Sequence, residues 1–185
     1  LRLSDKDPYD YAKVERMIPA TKELTVEFDV QAAQNGHGEL DVEFVDAKGQ
    51  ACSRIVLDSL GVMKVKGGPR FGTMLKNYKA GETYRVKAVL STDMHAGTYY
   101  INDKKVCQRQ FDTPVEAITR VVFRTGPLFA EPNKETPADQ YFDMPRADES
   151  DPMATFSIAN VKTYAADADG QAAVLKFDDY KHYVD

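Results

Sequence analysis

Strict alternation of apolar and polar residues is the feature that most restricts the fold of this chain. Between Tyr84 and Leu90 every second residue is apolar, whereas Arg85 and Lys87 lie between them. Residues 24–30 show the same period of two. Because successive side chains of a β-strand point to opposite faces, both stretches predict strands with one buried face and one exposed face.

Further strands are predicted along the chain, separated by turn residues. Asn102-Asp103 is predicted to form a tight hairpin turn, because Asn and Asp tolerate positive φ better than other non-glycine residues. Helical spacing is weak everywhere except in short turns near residues 10–16. About ten strands in one continuous set predict an all-β fold with two antiparallel sheets packed as a sandwich. The main predicted strands span residues 24–31, 39–44, 53–58, 62–66, 84–90, 98–101, 105–110, 118–124 and 154–164.

Size and charge exclude several classes of protein. The chain has 185 residues, 29% charged and 43% hydrophobic, which is typical of a soluble folded domain. We expect a single domain covering residues 1–185. No apolar run approaches the ~18 residues of a membrane helix. The net charge of −5, with no basic patch, gives no indication of nucleic acid binding.

The first residue and the cysteines bear on the setting of the protein. Leu1 is not an initiator methionine, so we interpret the chain as a mature form or a segment of a longer protein. Cys52 and Cys107 can form one disulfide if the protein is secreted. The alternative is two separate buried thiols, and a count of two cysteines does not choose between them.

A long segment near the end of the chain has the composition of a loop. Residues 126–152 hold five of the nine prolines and seven acidic residues, against two basic ones. Its apolar residues predict an ordered excursion that packs on the sandwich or on a neighbouring domain. Residues 165–173 are predicted to be a loosely packed linker. Residues 174–185 are either a closing strand or a segment that reaches toward a neighbouring domain or subunit.

We expect no cofactor and no metal, with one alternative. The acidic loop at 126–152 has the carboxylate oxygens that a structural calcium ion prefers, although no EF-hand spacing is present. His37, His95 and His182 are scattered along the chain and show no spacing typical of zinc ligands.

One motif has the chemistry of an enzyme. Residues 39–44 place Glu39, Asp41 and Glu43 on one face of a predicted strand, with apolar residues between them. The order Glu-x-Asp-x-Glu resembles the catalytic strand of the retaining β-glucanases of the lichenase and laminarinase type, which have a concanavalin-like jelly roll. The resemblance implies Glu39 as nucleophile, Glu43 as general acid and base, and Asp41 as the group that tunes their pKa values.

Three features count against catalysis by this strand. In those glucanases the motif lies near the middle of the chain, whereas few strands precede Glu39 here. The chain has no tryptophan, although sugar clefts rely heavily on aromatic faces. Alternating acidic and apolar residues are also typical of any half-exposed strand. The sequence therefore favours a protein that is not an enzyme, with a glycoside hydrolase as the alternative.

Other patterns resemble a wider group of proteins. Residues 98–106 are similar to the Y-x-I-N-G-K-x-V hairpin of laminin-G-like and concanavalin-like jelly rolls. Residues 156–164 are similar to the late strand of that superfamily, written I-D-N-V-x-x-Y, with Ala159 in place of the acidic residue. The stretches 7–12, 123–127 and 139–145 resemble accessory jelly-roll modules attached to bacterial polysaccharide-degrading enzymes. This resemblance implies a secreted, periplasmic or cell-surface setting.

These observations predict a non-catalytic module of a secreted polysaccharide-degrading system. It would be carbohydrate-associated or would pack against another domain, so polysaccharide or a neighbouring catalytic domain is the expected partner. Tyr99, Tyr100 and Phe71 are the candidates for stacking on sugar rings. The first alternative is a β-glucanase, and the second is an interaction module that docks a partner through residues 126–152.

Overall fold

Every regular element in the described part of the chain is a β-strand. The computed structural model describes residues 1–6, 11–66, 72–111, 113–126, 152–166 and 172–175. The strands within these ranges are β1 Arg2–Asp5, β2 Lys13–Thr21, β3 Glu23–Ala32, β4 Leu40–Val45, β5 Ala51–Leu57, β6 Val62–Lys66, β7 Thr73–Asn77, β8 Thr83–Ser91, β9 Ala96–Ile101, β10 Lys104–Gln110, β11 Ile118–Thr125, β12 Ala154–Ala166 and β13 Ala172–Leu175.

The strands form two antiparallel sheets. The seven-stranded sheet has the order β1-β12-β3-β8-β9-β10, and β13 pairs with the second half of β12. The six-stranded sheet has the order β2-β11-β4-β5-β6-β7. Neighbours such as β12 and β3 lie far apart in sequence, which is the connectivity of a jelly roll. The predicted all-β, two-sheet jelly-roll sandwich is therefore confirmed.

The apolar faces of the two sheets form the core. Alternate residues of β3 and β8 are buried there, as their period of two predicts. The ring of Phe28 on β3 meets the ring of Phe123 on β11 edge to face, with centroids 5.4 Å apart. Because β3 and β11 belong to different sheets, this aromatic pair joins the two layers.

The sequence prediction was wrong near the start of the chain. Residues 13–16 belong to strand β2 and not to helical turns. Val14, Glu15 and Arg16 are all buried, so both faces of this strand are covered and the period-two signal is lost. Strand β7 was missed for the opposite reason, since nearly all of its residues are exposed and do not alternate.

The predicted hairpin turn is confirmed. Asn102 and Asp103 have φ angles of 49° and 64° and connect β9 to β10. Positive φ at both central residues is the conformation of a type I′ turn, whose twist matches that of the paired strands. The sequence pattern of this hairpin was therefore informative about backbone geometry as well as about strand positions.

The structure describes only part of the last third of the chain, so it tests only some of the predictions made there. Residues 127–151 of the predicted loop lie outside the described residues. Strand β13 begins at Ala172, within the stretch predicted as a linker, and pairs with β12. Residues 176–185 lie outside the described part. The single-domain interpretation of residues 1–185 stays a prediction.

The two cysteines are free thiols in this structure. Cys52 is buried, and burial raises the pKa of its thiol to about 12. Cys107 lies on β10 and is partly exposed. The structure therefore has separate thiols and no disulfide, although of the two only Cys52 is fully buried.

Gly97 tests the packing of the core on the inner face of the seven-stranded sheet. We expect Gly97→Ala to lower the free energy of unfolding by about 1–3 kcal/mol, because it overpacks a tight core. The added Cβ would lie 2.5 Å from the hydroxyl of Tyr99 and 2.7 Å from a methyl of Leu90. Urea unfolding measures the change. Gly36→Ala is the control, since no atom lies within 4 Å of its added Cβ. Equal losses in the two variants would contradict this account.

Candidate functional site

A cleft of about 320 Å³ opens at one end of the sandwich, and we call it the end cleft. The end of β1, the β3–β4 loop, the β5–β6 turn, the end of β11 and the start of β12 form its walls. Its size is in the range typical of small-ligand sites. The lining residues are Asp5, Lys6, Gly36, His37, Gly38, Glu39, Ser59, Thr125, Gly126, Pro152 and Ala154.

Gly38 fixes the shape of the β3–β4 wall. It has a φ of +72°, and a Cβ at this position would lie 2.2 Å from the Cβ of Ala154 on β12. Only glycine fits both the left-handed backbone and this close approach. The loop therefore lies against β12, and the residue that follows it, Glu39, enters the wall of the cleft.

Hydrogen bonds hold the other walls in place. Thr125 Oγ1 donates to Asp5 Oδ2 at 2.9 Å and accepts from the backbone N–H of Ala12 at 2.8 Å. The backbone N–H of Gly126 donates to the carbonyl of Glu39 at 3.0 Å. These bonds connect β1, β4 and β11, so the cleft is preorganised by contacts among strands that are distant in sequence.

The three carboxylates of the acidic strand are divided between two environments. Glu39 lines the end cleft, whereas Asp41 and Glu43 lie on the outer face of the six-stranded sheet, opposite the core residues of β4. Arg124 on β11 pairs with both: its Nη2 is 2.9 Å from Asp41 Oδ2 and 3.4 Å from Glu43 Oε1. Strand register explains the contact, since Arg124 lies directly opposite Asp41.

This arrangement gives the acidic strand a structural role. Asp41 is only 1% exposed, so its carboxyl has almost no surface available to a substrate. Glu43 is held by Arg124 and lies opposite Arg54 in the ladder. The spacing that resembled a glucanase strand thus serves an ion-pair network in which Asp41 and Glu43 share the Arg124 guanidinium.

Burial shifts the pKa values of two of these carboxyls upward. The pKa of Asp41 is raised to about 7, mainly by burial. The nearby Glu39 carboxyl also raises this pKa, by more than the Arg124 guanidinium lowers it. Burial also raises the pKa of Glu39, against the opposing effect of Lys66 and Arg124. Protonated and ionised forms of Asp41 are therefore both populated near neutral pH.

The structure separates the three aromatic candidates. Tyr99 is 0% exposed and shares a 2.6 Å hydrogen bond with Ser53 inside the core, so its ring has no face for a sugar. Tyr100 lies on the outer face of the seven-stranded sheet, where the Lys87 Nζ is 5.8 Å from its ring centroid. Phe71 lies outside the described residues. Tyr11 is a further exposed ring, 5.6 Å from the Arg124 guanidinium.

The sequence alone did not predict most of the end cleft. Asp5, His37, Ser59 and Thr125 come from four separate parts of the chain and form no local motif. Only Glu39 carried a signal, as part of the acidic strand. The others could be grouped only with knowledge of which strand ends meet in the fold.

The described residues contain no group of three or more His, Cys, Asp or Glu side chains that could hold a metal ion. The predicted calcium loop falls on residues 127–151, outside this part of the chain. Within the same described ranges, no helix is long and apolar enough to cross a membrane.

Comparison with known proteins identifies the class. Residues 1–140 match the sequence model of the family described as sialidase-like, CBM domain. The chain belongs to this family of sialidase-like carbohydrate-binding modules. It is a non-catalytic carbohydrate-binding module with a jelly-roll fold, as the sequence predicted. The family assigns carbohydrate binding to the chain and not glucan hydrolysis.

Solved structures agree with this assignment. One sialidase is 50% identical to the chain with a TM-score of 0.80, and the match covers 91% of this chain and 16% of that one. The chain thus spans about one sixth of that sialidase. No curated protein matches the chain.

Two distant similarities show the fold alone. The binding domain of botulinum neurotoxin serotype C1 is 12% identical with a TM-score of 0.53, covering 88% of this chain and 43% of that one. The SAP-like pentraxin from Limulus polyphemus is 10% identical with a TM-score of 0.50, covering 88% and 75%. At these identities the common feature is the sandwich architecture.

Asp41→Asn tests the raised pKa. A carboxyl whose pKa rises on folding stabilises the protein below its unfolded pKa, and this stabilisation is lost as pH rises through the folded value. For the Asp41 carboxyl this pH window runs from its ordinary pKa of 3.8 to its pKa in the folded protein, about 7. We therefore expect the melting temperature of Asp41→Asn, relative to wild type, to increase between pH 4 and pH 7.

Thermal melts across this pH window measure the effect. Asp93→Asn is the control, because it makes the same carboxyl-to-amide change on the surface, where 64% of the Asp93 side chain is exposed. A constant difference between Asp41→Asn and wild type at all pH values would show that Asp41 is not the titrating group.

Proposed function

We propose that this module binds glycans in the end cleft and holds a neighbouring sialidase catalytic domain close to its substrate. The observation that carries the proposal is the 50% identity to a segment that makes up 16% of a sialidase. A binding module joined to a catalytic domain raises the local concentration of substrate without changing the chemistry. The catalytic groups would then lie elsewhere in the parent protein.

The chemistry of the end cleft suits a sugar. Sugar hydroxyls donate and accept hydrogen bonds, and the cleft offers the Glu39 and Asp5 carboxylates and the backbone at its glycines. Lys6 and His37 lie in the same walls and can pair with the carboxylate of an acidic sugar such as sialic acid. Because the cleft carries both positive and negative groups, its charges favour one orientation of the bound sugar more than they raise its overall affinity.

Apolar side chains next to the cleft favour a second role, packing against the catalytic domain. Leu60 follows the cleft residue Ser59 and is 80% exposed, and Met153 lies exposed between Pro152 and Ala154. Exposed apolar groups beside a polar site are a feature of domain contacts. Docking through residues 126–152, which the sequence suggested, stays a prediction.

The proposed substrate also favours a location outside the cytoplasm. Polysaccharides and glycoprotein glycans are met at the cell surface, in the periplasm or in the medium. Fractionation of the source cells with an antibody to the module would test this. Recovery of the protein in the cytosolic fraction alone would contradict it.

Glycan binding can be measured directly. We expect the chain to bind 3′-sialyllactose in isothermal titration calorimetry, with lactose as the matched neutral ligand. Lys6→Ala and His37→Ala should each weaken binding of 3′-sialyllactose by about tenfold, because each removes a polar contact worth about 1.4 kcal/mol. Glu116→Gln, at the opposite end of the sandwich, is the control and should bind as wild type does.

The outcomes separate the two roles. Binding that is weakened by the cleft variants alone supports glycan recognition in the end cleft. If wild type binds neither ligand, and a glycan array is also negative, the glycan proposal for this cleft fails and domain packing is favoured. Equal weakening by Glu116→Gln would show that the effect is not local to the cleft.

A further inference from the structure

A second depression lies on the outer face of the seven-stranded sheet, away from the end cleft. It has a volume of about 300 Å³ and is formed by strands β3, β8 and β12. Its side chains come from Glu27, Asp29, Arg85, Asn160 and Lys162. We call these five residues, together with Lys87 on β8 and Tyr100 on β9, the sheet patch.

A β-bulge shapes this depression. The pairing of β12 with β3 shifts register between Ala159 and Lys162, and Asn160 within the bulge has a φ of 53°. A left-handed residue in the middle of a strand is uncommon, and bulges often serve to redirect a side chain. Here the Asn160 side chain reaches across to β3, where its Nδ2 donates to Asp29 Oδ2 at 2.6 Å.

The choice of asparagine is informative. Glycine adopts positive φ with no side-chain penalty, so the backbone conformation alone does not require Asn160. Asparagine adds a carboxamide that both donates and accepts hydrogen bonds. This residue is also the asparagine of the I-D-N-V-like pattern at 156–164, which the end cleft does not use.

The charged groups of the sheet patch are arranged as loose pairs. Arg85 Nε is 3.7 Å from Asp29 Oδ1, and Lys87 Nζ is 3.4 Å from Glu27 Oε1. The cations are well exposed, with 58% of the Arg85 side chain and 40% of the Lys87 side chain accessible. Long surface pairs of this kind contribute little to stability, so their groups can exchange partners for a ligand at small cost.

An aromatic ring borders these pairs. Tyr100 on β9 lies opposite Lys87 on β8, which in turn lies opposite Glu27 on β3. With strands about 4.8 Å apart, the ring of Tyr100 lies roughly 10 Å from Glu27 across the sheet. A disaccharide covers this distance, with one ring on the polar groups and the other on the tyrosine face.

We propose that the sheet patch is a second carbohydrate-binding site, which takes a neutral sugar with adjacent free hydroxyls. Of two adjacent hydroxyls, one can donate a hydrogen bond to the Asp29 carboxylate while the other accepts one from the Arg85 guanidinium. Asp29 and Glu27 lie within 4 Å of Arg85 and Lys87, so the carboxylate of an acidic sugar would have to displace them to reach these cations. The proposal rests on the carbohydrate-binding class of the chain and not on the end cleft.

The test uses the full chain and amide chemical shifts in ¹H–¹⁵N spectra. The probes are lactose and the methyl β-glycosides of galactose, glucose, mannose and N-acetylglucosamine, each titrated separately. At least one probe should shift the amide signals of Asp29, Arg85 and Asn160. Its affinity should fall by about fivefold or more in Asn160→Gly, which keeps the left-handed backbone and removes the carboxamide.

Matched variants make the result specific. His95 also has a positive φ, 49°, and lies at the end of the sandwich opposite the cleft, so His95→Gly controls for glycine itself. Asp29→Asn should weaken binding as Asn160→Gly does, because it removes the charge that pairs with Arg85. Glu39→Gln alters the end cleft and should leave the shifts at the sheet patch unchanged.

Each outcome decides the proposal. Shifts at the patch that are lost in Asn160→Gly and kept in His95→Gly and Glu39→Gln support it, whether or not the end cleft also binds. Shifts confined to His37 and Glu39 would overturn it and leave the end cleft as the glycan site. The absence of any shift with all five probes would overturn it as well, while 3′-sialyllactose binding would still decide the proposed function.

Discussion

Burial of two alternating apolar faces against each other is the constraint on which the rest of this structure depends. Once every second residue of β3, β4, β8 and β11 faces the core, the remaining residues must lie on the outer faces, and loops are left for the ends. This decides that Tyr99 is a core residue and Tyr100 a surface residue. It also places Asp41 and Glu43 outside the core, where Arg124 pairs with both.

The acidic strand shows how the same pattern can serve two purposes. In a glycosidase, two carboxylates of this kind need an open groove and freedom to reach a sugar. Here the neighbouring strand supplies Arg124 directly opposite Asp41, and burial keeps the pKa of that carboxyl near neutrality. The carboxylates thus join β4 to β11 and carry Glu39 into the wall of the end cleft. The residue on the adjacent strand, Arg124, is what makes these carboxylates part of a structural ion network here.

Two separated sites would change how the module works in a larger protein. The end cleft and the sheet patch lie on different surfaces, formed by loops in one case and by a bulged strand in the other. Weak binding at each would sum to a stronger hold on a branched or extended glycan, provided that both are engaged together. Under the two proposals, the end cleft would take an acidic sugar through Lys6 and His37, and the sheet patch would take a neutral sugar through its hydrogen-bonding groups.

The sequence by itself determined most of the strands, their buried faces and the class of fold, because a period of two is a local property of the backbone. It determined the Asn102-Asp103 turn for the same reason. The strands that it missed include β2, where both faces are buried, and β7, where almost nothing is buried. Neither strand has the alternation of apolar and polar residues that marks a half-buried strand. Only the tertiary structure decided which side chains form a site. Asp5, His37, Glu39 and Thr125 meet because strand ends distant in sequence are brought together by pairing, and Asn160 reaches Asp29 because a bulge shifts the register between two strands.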